Sequence, residues 1–366
     1  VISCSAAISA CEKGGRWQLA LSVLAAMPEV QLLPNVISCS AAVSACEKAG
    51  MWQQALAVFE QMRKLRHRPD IVTCSAAISA CEKGGKWQPA LRLLADMREL
   101  HVAPSVISCN AAMSACRKDG QWQLALALLG SMSELGLAAD VVSFCAAISA
   151  CEKNREWQAA LALFGLMGSL RIAPDVHSCS AAMSACEEGG QWWRALALLD
   201  SMPALGVAPD GVCLSSALSA CEKSGHWQLA LDLLARMPRL RLVTDVVNCN
   251  SAIRACKTGG SWRHALGLFA SISAPTLLSC DTAVGACEEC GLAHPAVALL
   301  NSIPRLLARG LTRGPALPGS LGARDGRGRA HAISACEKGG RWQLALSVLA
   351  AMPEVQLLPN VISCSA

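Results

Sequence analysis

The chain has no tyrosine and only four phenylalanines, and aromatic residues are 4% of its 366 positions. That poverty argues against two or three ordinary domains built around large rings. Charge is scarce as well. Asp, Glu, Lys and Arg together make up 16%, with a net charge of +5, which permits a polyanionic partner without demanding one. No apolar run reaches the roughly 18 residues of a membrane span, because Glu, Lys, Gly or Pro interrupts every stretch. The mean hydropathy of +0.37 therefore does not indicate a transmembrane protein. Signatures of common chemistry are missing too: there is no His-Glu-x-x-His, no Gly-x-Ser-x-Gly and no phosphate loop. The seven histidines stand at unrelated places. No enzyme activity, cofactor, small-molecule substrate or resident metal is expected. The first residue is Val1, not Met, and no targeting peptide is visible, which leaves the natural start open.

What is present is Ala, Leu and Cys, which supply most of a hydrophobic share of 53%. Small side chains suit closely packed helices. The 21 cysteines could suggest a disulfide scaffold, but their spacing argues otherwise. Ten follow an alanine, from Cys11 through Cys46, Cys81 and Cys116 to Cys336, and most of the others lie seven residues earlier, as Cys4 precedes Cys11. Seven residues are two helical turns, so both sulfurs face one way. They read as small buried hydrophobes in a reducing compartment.

The phrase Ala-Cys-Glu-Lys-Gly-Gly-x-Trp-Gln-x-Ala-Leu recurs along the chain, and Trp17, Trp52, Trp87, Trp122, Trp157, Trp192, Trp227 and Trp262 stand 35 residues apart. Counted from Val1, the repeats are 1–35, 36–70, 71–105, 106–140, 141–175, 176–210 and 211–245, then a short eighth, 246–276, and a weaker ninth, 277–307. Each spells two helices. Ser3 is a plausible N-cap of the first, as are Ser38, Thr73, Ser108, Ser143 and Ser178. Cys4, Ala7, Ile8 and Cys11 then form one helical face, and Gly14 and Gly15 stop the helix. Trp17, Ala20, Leu21, Leu24 and Met27 form one face of the second helix, and Pro34 closes the hairpin. Neither helix hides its apolar face alone, whereas stacked neighbours do, so an all-α solenoid is expected.

Tetratricopeptide repeats have a 34-residue period and another signature. A 35-residue period carrying Ala-Cys-x-Lys-x-Gly-x-Trp-x-x-Ala-Leu and a closing Pro-Asp resembles P-type arrays of pentatricopeptide repeats, over about 300 residues of this chain. The resemblance implies a right-handed superhelix that binds single-stranded RNA at about one base per repeat. It further implies a non-catalytic adaptor in organellar RNA processing, stability, editing or translation, located in a chloroplast or mitochondrion.

The resemblance also assigns roles by place. The fifth and last places of each repeat would select the base. The pairs are Ser5 with Asn35, Ser40 with Asp70, Ser75 with Ser105, Asn110 with Asp140, Cys145 with Asp175, Ser180 with Asp210, Ser215 with Asp245, and Asn250 with Thr276. Read 5′ to 3′, they imply A, G, a purine, U, no assignment, G, G and a pyrimidine. Hydroxyl, amide and carboxylate groups are the donors and acceptors that such reading requires. Cys145 departs from the pattern, because a thiol bonds weakly, and so does Asp281, whose carboxylate would repel RNA. The second place would wedge between bases: Ile2, Ile37, Val72, Ile107, Val142, Val212 and Val247. His177 breaks that aliphatic series and either stacks on a base or is simply solvated. Lys13, Lys48, Lys83, Lys118, Lys153 and Lys223, at the end of the first helix, would meet successive phosphates; the plain alternative is a solvated helix end, where Lys complements the dipole.

Other features are weighed against these. The Trp series lies on the apolar stripe of the second helix, so packing explains it better than base stacking. Cys287 and Cys290 form one Cys-x-x-Cys near His294, but a zinc deaminase also needs His-x-Glu, which is absent, and Cys287 is already the repeat's buried cysteine. Residues 308–331 scatter five arginines among Gly and Pro and read as a flexible basic linker. Residues 332–366 duplicate residues 7–41 letter for letter and, without the start of a first helix, should cap the array poorly. The rival function is a protein-interaction scaffold that holds a peptide in the same groove. Regular Ser/Asn and Asp/Asn pairing at two fixed places favours RNA over that.

Overall fold

The computed structural model describes residues 2–28, 31–240, 242, 244–272, 275–299, 331, 333–338, 343, 345–346 and 348. Among them every regular element is helical, and the fold is an all-α array of helical-hairpin repeats. The proposed linker, apart from His331, lies outside the described residues, as does the end of the duplicated copy. The chain divides into two compact units, Val1–Ala185 and Cys186–Ala366.

The first unit runs α1 (Ile2–Lys13), α2 (Trp17–Ala26), α3 (Val36–Lys48), α4 (Trp52–Lys64), α5 (Ile71–Lys83), α6 (Trp87–Glu99), α7 (Val106–Lys118), α8 (Trp122–Glu134), α9 (Val141–Lys153) and α10 (Trp157–Ser169); α11 (Val176–Glu188) crosses the division. The second unit holds α12 (Trp192–Ser201), α13 (Gly211–Ser224), α14 (Trp227–Arg236), α15 (Val246–Thr258), α16 (Trp262–Ser271) and α17 (Leu277–Glu289).

Side-chain size sets the layering. In α3 the face of Cys39, Ala42, Val43 and Cys46 is buried, as the spacing predicts. Small residues let first helices approach closely: α1 packs on α3, α3 on α5, α5 on α7 and α7 on α9, and in the second unit α13 packs on α15 and α15 on α17. Each second helix leans on the two first helices beside it, as α4 does on α3 and α5, and buries Ala55, Phe59 and Met62 to do so. The eight tryptophans of the series are half-buried at the turns. A Cβ on Gly84 would lie 2.3 Å from Trp52 Cδ1, and one on Gly259 would lie 2.5 Å from Trp227 Cδ1. Trp52 and Trp227 thus pack on the next repeat's turn, and glycine at the fourteenth place makes room for them. The packing role expected of the Trp series agrees with this.

The start of the first helices corrects one expectation. The N-cap is the last residue of the preceding repeat, not the third residue of the helix. Asn35 is extended (φ −107°, ψ 174°), and its Oδ1 accepts the Ser38 N–H at 2.8 Å. The Asn35 N–H donates back to Ser38 Oγ at 2.9 Å. Asp70, Ser105, Asp140, Asp210, Asp245 and Thr276 cap α5, α7, α9, α13, α15 and α17 in the same way. Thr73, Ser108, Ser143 and Ser178 are therefore third helical residues, fully buried, and in α7 and α9 the reciprocal bond forms a capping box. At the other end, Gly15 takes the left-handed conformation (φ 68°) that stops the helix; in the fifth repeat Arg155 does so (φ 61°).

The duplicated copy also differs from expectation. Ala335 is buried with Val284, Cys287 and Ala296, and Ile333 and Val348 are buried against Val297 and Ala345. Lys338 Nζ lies 3.5 Å from Glu288 Oε1, and His331 Nδ1 bonds the same carboxylate. Lys48 meets Glu12 in the same manner at 2.9 Å. The described part of the copy thus covers the ninth repeat in the register of a further one.

Candidate nucleic-acid interface

Capping places the last residue of one repeat beside the first helix of that same repeat, and so beside its fifth place. Asn110 Nδ2 donates to Asp140 Oδ1 at 3.0 Å, Ser5 Oγ to Asn35 Oδ1 at 3.3 Å, and Cys145 Sγ to Asp175 Oδ1 at 3.4 Å. These three pairs are joined directly. Ser180 Oγ instead bonds the His177 carbonyl, and Ser215 Oγ lies 2.8 Å from the Gly211 carbonyl and 3.0 Å from Asn248 Oδ1. Asn250 is buried, and its Oδ1 has no partner among the described residues. Ser40, Ser75 and Asp281 are half-buried. The fifth place is therefore not the open polar stripe that its residue types suggest, because its side chains turn toward the next helix start.

Burial pushes the carboxyls of Asp140 and Asp175 up, but the bonds they accept outweigh it and hold both below the usual range. Asp140 takes the Ser143 N–H and the Asn110 amide, with the Ser143 hydroxyl 2.9 Å away; Asp175 takes the N–H and hydroxyl of Ser178 and the Cys145 thiol. Both carry full negative charge at neutral pH. Cys145 is pushed up to about 12, by burial first and by the Asp175 charge second. It is a thiol, not a thiolate, and no nucleophile.

One turn before the fifth place stands the second. Ile37, Val72, Ile107, Val142, Val212 and Val247 are 57–68% exposed, and His177 is exposed as well. The side chain of Ile2 lies outside the described residues. Six of the described first helices, α3, α5, α7, α9, α13 and α15, thus offer solvent a β-branched aliphatic one turn from a hydrogen-bonding group.

The six lysines are exposed, and the five after Lys13 are occupied. Lys48 bridges to Glu12, Lys83 to Glu47 at 2.6 Å, and Lys223 to Glu187 at 3.2 Å and Glu188 at 2.7 Å. Lys118 Nζ donates to the carbonyls of Glu82 (2.6 Å) and Lys83 (3.0 Å), and Lys153 Nζ to that of Lys118 (2.9 Å). Each ties its helix end to that of the preceding repeat. Two features escaped the sequence reading: the acidic twelfth place as a lysine partner, and the third place as a buried partner of the reading side chains. The second had a visible signal, a capping residue followed three places later by Ser or Thr.

Among the described residues no group of three His, Cys, Asp or Glu side chains could hold a metal, and no helix is long and apolar enough to cross a membrane. Cys287 is buried in the core with Val284 and Ala296.

The pentatricopeptide repeat domain model matches residues 32–81, 57–119 and 127–188, and the model of the single repeat matches 2–31, 107–137 and 212–242. No curated protein matches the chain. Among solved structures it is similar to the pentatricopeptide repeat protein PPR10 from maize, at 19% identity and a TM-score of 0.59 over 99% of this chain and 55% of that one. It also matches PPR10 in complex with an 18-nt psaJ RNA element, at 18% identity and a TM-score of 0.44 over 98% of this chain and 65% of that one. At such identities the likeness is one of fold. The chain spans little more than half of the first structure's length. The family models together cover more than half of the sequence, and the hairpins they describe are those of the structure: the chain belongs to the pentatricopeptide repeat family.

Proposed function

We propose that this chain binds single-stranded RNA at about one base per repeat, as a non-catalytic adaptor in the processing, stability or translation of chloroplast or mitochondrial transcripts. The observation that carries the reading is the exposed aliphatic second place. An isolated exposed Ile or Val needs no explanation, but one at the same place in successive repeats, beside a hydrogen-bonding pair, is a wedge next to a reader. Family membership points the same way. Each wedge would slip between two bases, and the fifth and last places would bond the base edge, as in Asn110 with Asp140 for U. The partnerless Asn250 Oδ1 supports this, since a bound base would supply the missing donor.

The lysines fit the proposal unequally. Lys48, Lys83 and Lys223 are neutralised by carboxylates. Lys118 and Lys153 donate to carbonyl oxygens rather than to a carboxylate, although Glu82 lies near Lys118, and are the better partners for phosphate. Crosslinking followed by sequencing of bound RNA tests the proposal, together with binding to RNAs that differ at the fourth base. Asn110→Ser should shift that preference from U to G. Identical ranking by the wild type and the variant would reject one base per repeat.

The second reading, a protein-interaction scaffold, is favoured by an apolar cleft of about 590 Å³ between α8 and α10, lined by Leu126, Leu129, Phe144, Leu163, Leu166 and Leu170. Capture of a peptide but no RNA would select it.

A further inference from the structure

From the second repeat onward the third place is buried, and it carries no assigned role beyond the helix start. In the ninth and earlier repeats it is Ser or Thr, except for Cys213 and Asn248. In α9 it does more than cap. Ser143 Oγ lies 2.6 Å from Asn110 Oδ1 and 2.9 Å from Asp140 Oδ1. The Asp140 carboxylate can only accept, so the Asn110 amide must turn Nδ2 toward it. Asp140 Oδ1 already receives the Ser143 N–H at 2.9 Å and Asn110 Nδ2 at 3.0 Å. The hydroxyl has one proton, and the shorter contact takes it: Ser143 donates to Asn110 Oδ1. Both ends of the amide are thus held, the nitrogen by Asp140 and the oxygen by Ser143, at a side chain only 9% exposed.

We infer that Ser143 is a specificity-determining positioning residue: by donating to Asn110 Oδ1 it turns that oxygen inward and leaves the second amide N–H as the group the side chain offers a base. The inference rests on the base-reading proposal above. An outward N–H suits the O4 carbonyl of U; at the same place C carries an amino group, which needs an acceptor. Without the hydroxyl, Oδ1 is released and can accept from that amino group, so U and C become harder to tell apart. The repeat's pairing residues are unchanged in such a variant. The selectivity of the fourth repeat is therefore written partly in the first helix of the fifth.

The test measures binding of the full chain to RNAs carrying U or C at the fourth position. Ser143→Ala should reduce the U-over-C ratio roughly fivefold, the weight of about one hydrogen bond. Ser143→Thr, which keeps the hydroxyl as Thr73 does, should restore it. Ser143→Cys is a second variant in case alanine does not fold, since Cys213 is buried in the same place; its weak donor should lower the ratio too. Ser178→Ala is the structural control. It removes the equivalent buried hydroxyl of the next repeat, which bonds Asp175 backbone atoms at 2.9 Å and the Cys145 thiol but not Asn110, and should leave the fourth-position ratio alone. If Ser143→Ala and Ser143→Cys keep the wild-type ratio, the third place only caps and the inference is overturned. If Ser178→Ala lowers the ratio as much, the effect is one of stability and the inference is equally lost. A wild type with no preference at that position would overturn the base-reading proposal itself.

Discussion

Replacing Asp140 by alanine removes two things at once, and the structure separates them. The first is the cap of α9: the Ser143 N–H loses its acceptor at 2.9 Å, worth about 1 kcal/mol. The second is the partner of Asn110, whose buried Nδ2 is stranded, at about 1–3 kcal/mol. Asp140→Ala should therefore cost about 2–4 kcal/mol. Asp210→Ala removes the same kind of cap, the Cys213 N–H at 2.9 Å, but its fifth-place counterpart, Ser180, bonds the His177 carbonyl instead. It should cost about 1 kcal/mol. The comparison is read by urea unfolding of the full chain, with hydrogen exchange at the Ser143 and Phe144 amides locating the loss at the start of α9. Exchange matters because repeat arrays open locally, and one global free energy is then ill-defined. Equal costs for the two substitutions would refute the reasoning, since the Asn110–Asp140 bond would then contribute nothing.

Three further outcomes follow from the same geometry. Lys118→Ala with Lys153→Ala should flatten the salt dependence of RNA affinity by roughly 1.4 log units per log unit of salt, about 0.7 for each phosphate contact. Lys48→Ala with Lys83→Ala should flatten it less, and equal effects would show that the glutamate bridges are irrelevant. Asp140 and Asp175 have folded pKa values below the unfolded value of about 3.9. Their stabilisation is thus complete above that pH and lost as pH falls through the folded values. Urea midpoints between pH 6 and pH 2 should fall at the acid end, and Asp140→Asn should flatten that fall. Truncation after Leu307 should leave the fourth-position preference intact while exposing Val284, Cys287 and Ala296; exchange protection in α17 unchanged by truncation would contradict the docking of the duplicated copy.

The period, the two helices per repeat and their buried faces were legible because they are local. Cys39, Ala42, Val43 and Cys46 fall on one face by spacing alone. The Trp series was legible for the same reason. What escaped depends on contacts 30 or more residues away. Ser38 and Asn35 are both good caps three residues apart, and only the backbone angle at Asn35 decides between them. Lys48 looks like a solvated helix end until Glu12 of the preceding repeat is brought to 2.9 Å. The fifth place looked exposed because Ser and Asn are polar; hydrogen bonds to the next cap bury it. The duplicated copy looked unable to dock because its first helix lacks a normal start, yet Ile333 and Cys336 are buried as Ile8 is in the first repeat, so the central face suffices.

The double duty of the last place bears on which bases the array can select. Every last place in the first eight repeats is Asn, Asp, Ser or Thr, the residue types that cap helices best. Capping consumes one oxygen, and what remains differs by type. Asp keeps a second acceptor, Asn keeps an amide donor, and Ser105 and Thr276, whose single oxygens accept the Ser108 and Ser279 N–H groups at 3.1 and 3.2 Å and also contact the Ser108 and Ser279 hydroxyls, keep the least. On the proposed reading this leftover atom meets the base. An acceptor suits the ring N–H of G or U, and a donor suits the bare ring nitrogen of A or C, which is why the resemblance assigns Asp and Asn as it does. Asp70→Asn should therefore keep the cap of α5, with a stability change under about 0.5 kcal/mol, yet turn the second-position preference from G to A. The assay is the urea midpoint of the variant beside its binding to two RNAs that differ at that base. A stable variant that still prefers G would show that the atom left over from capping does not face the base.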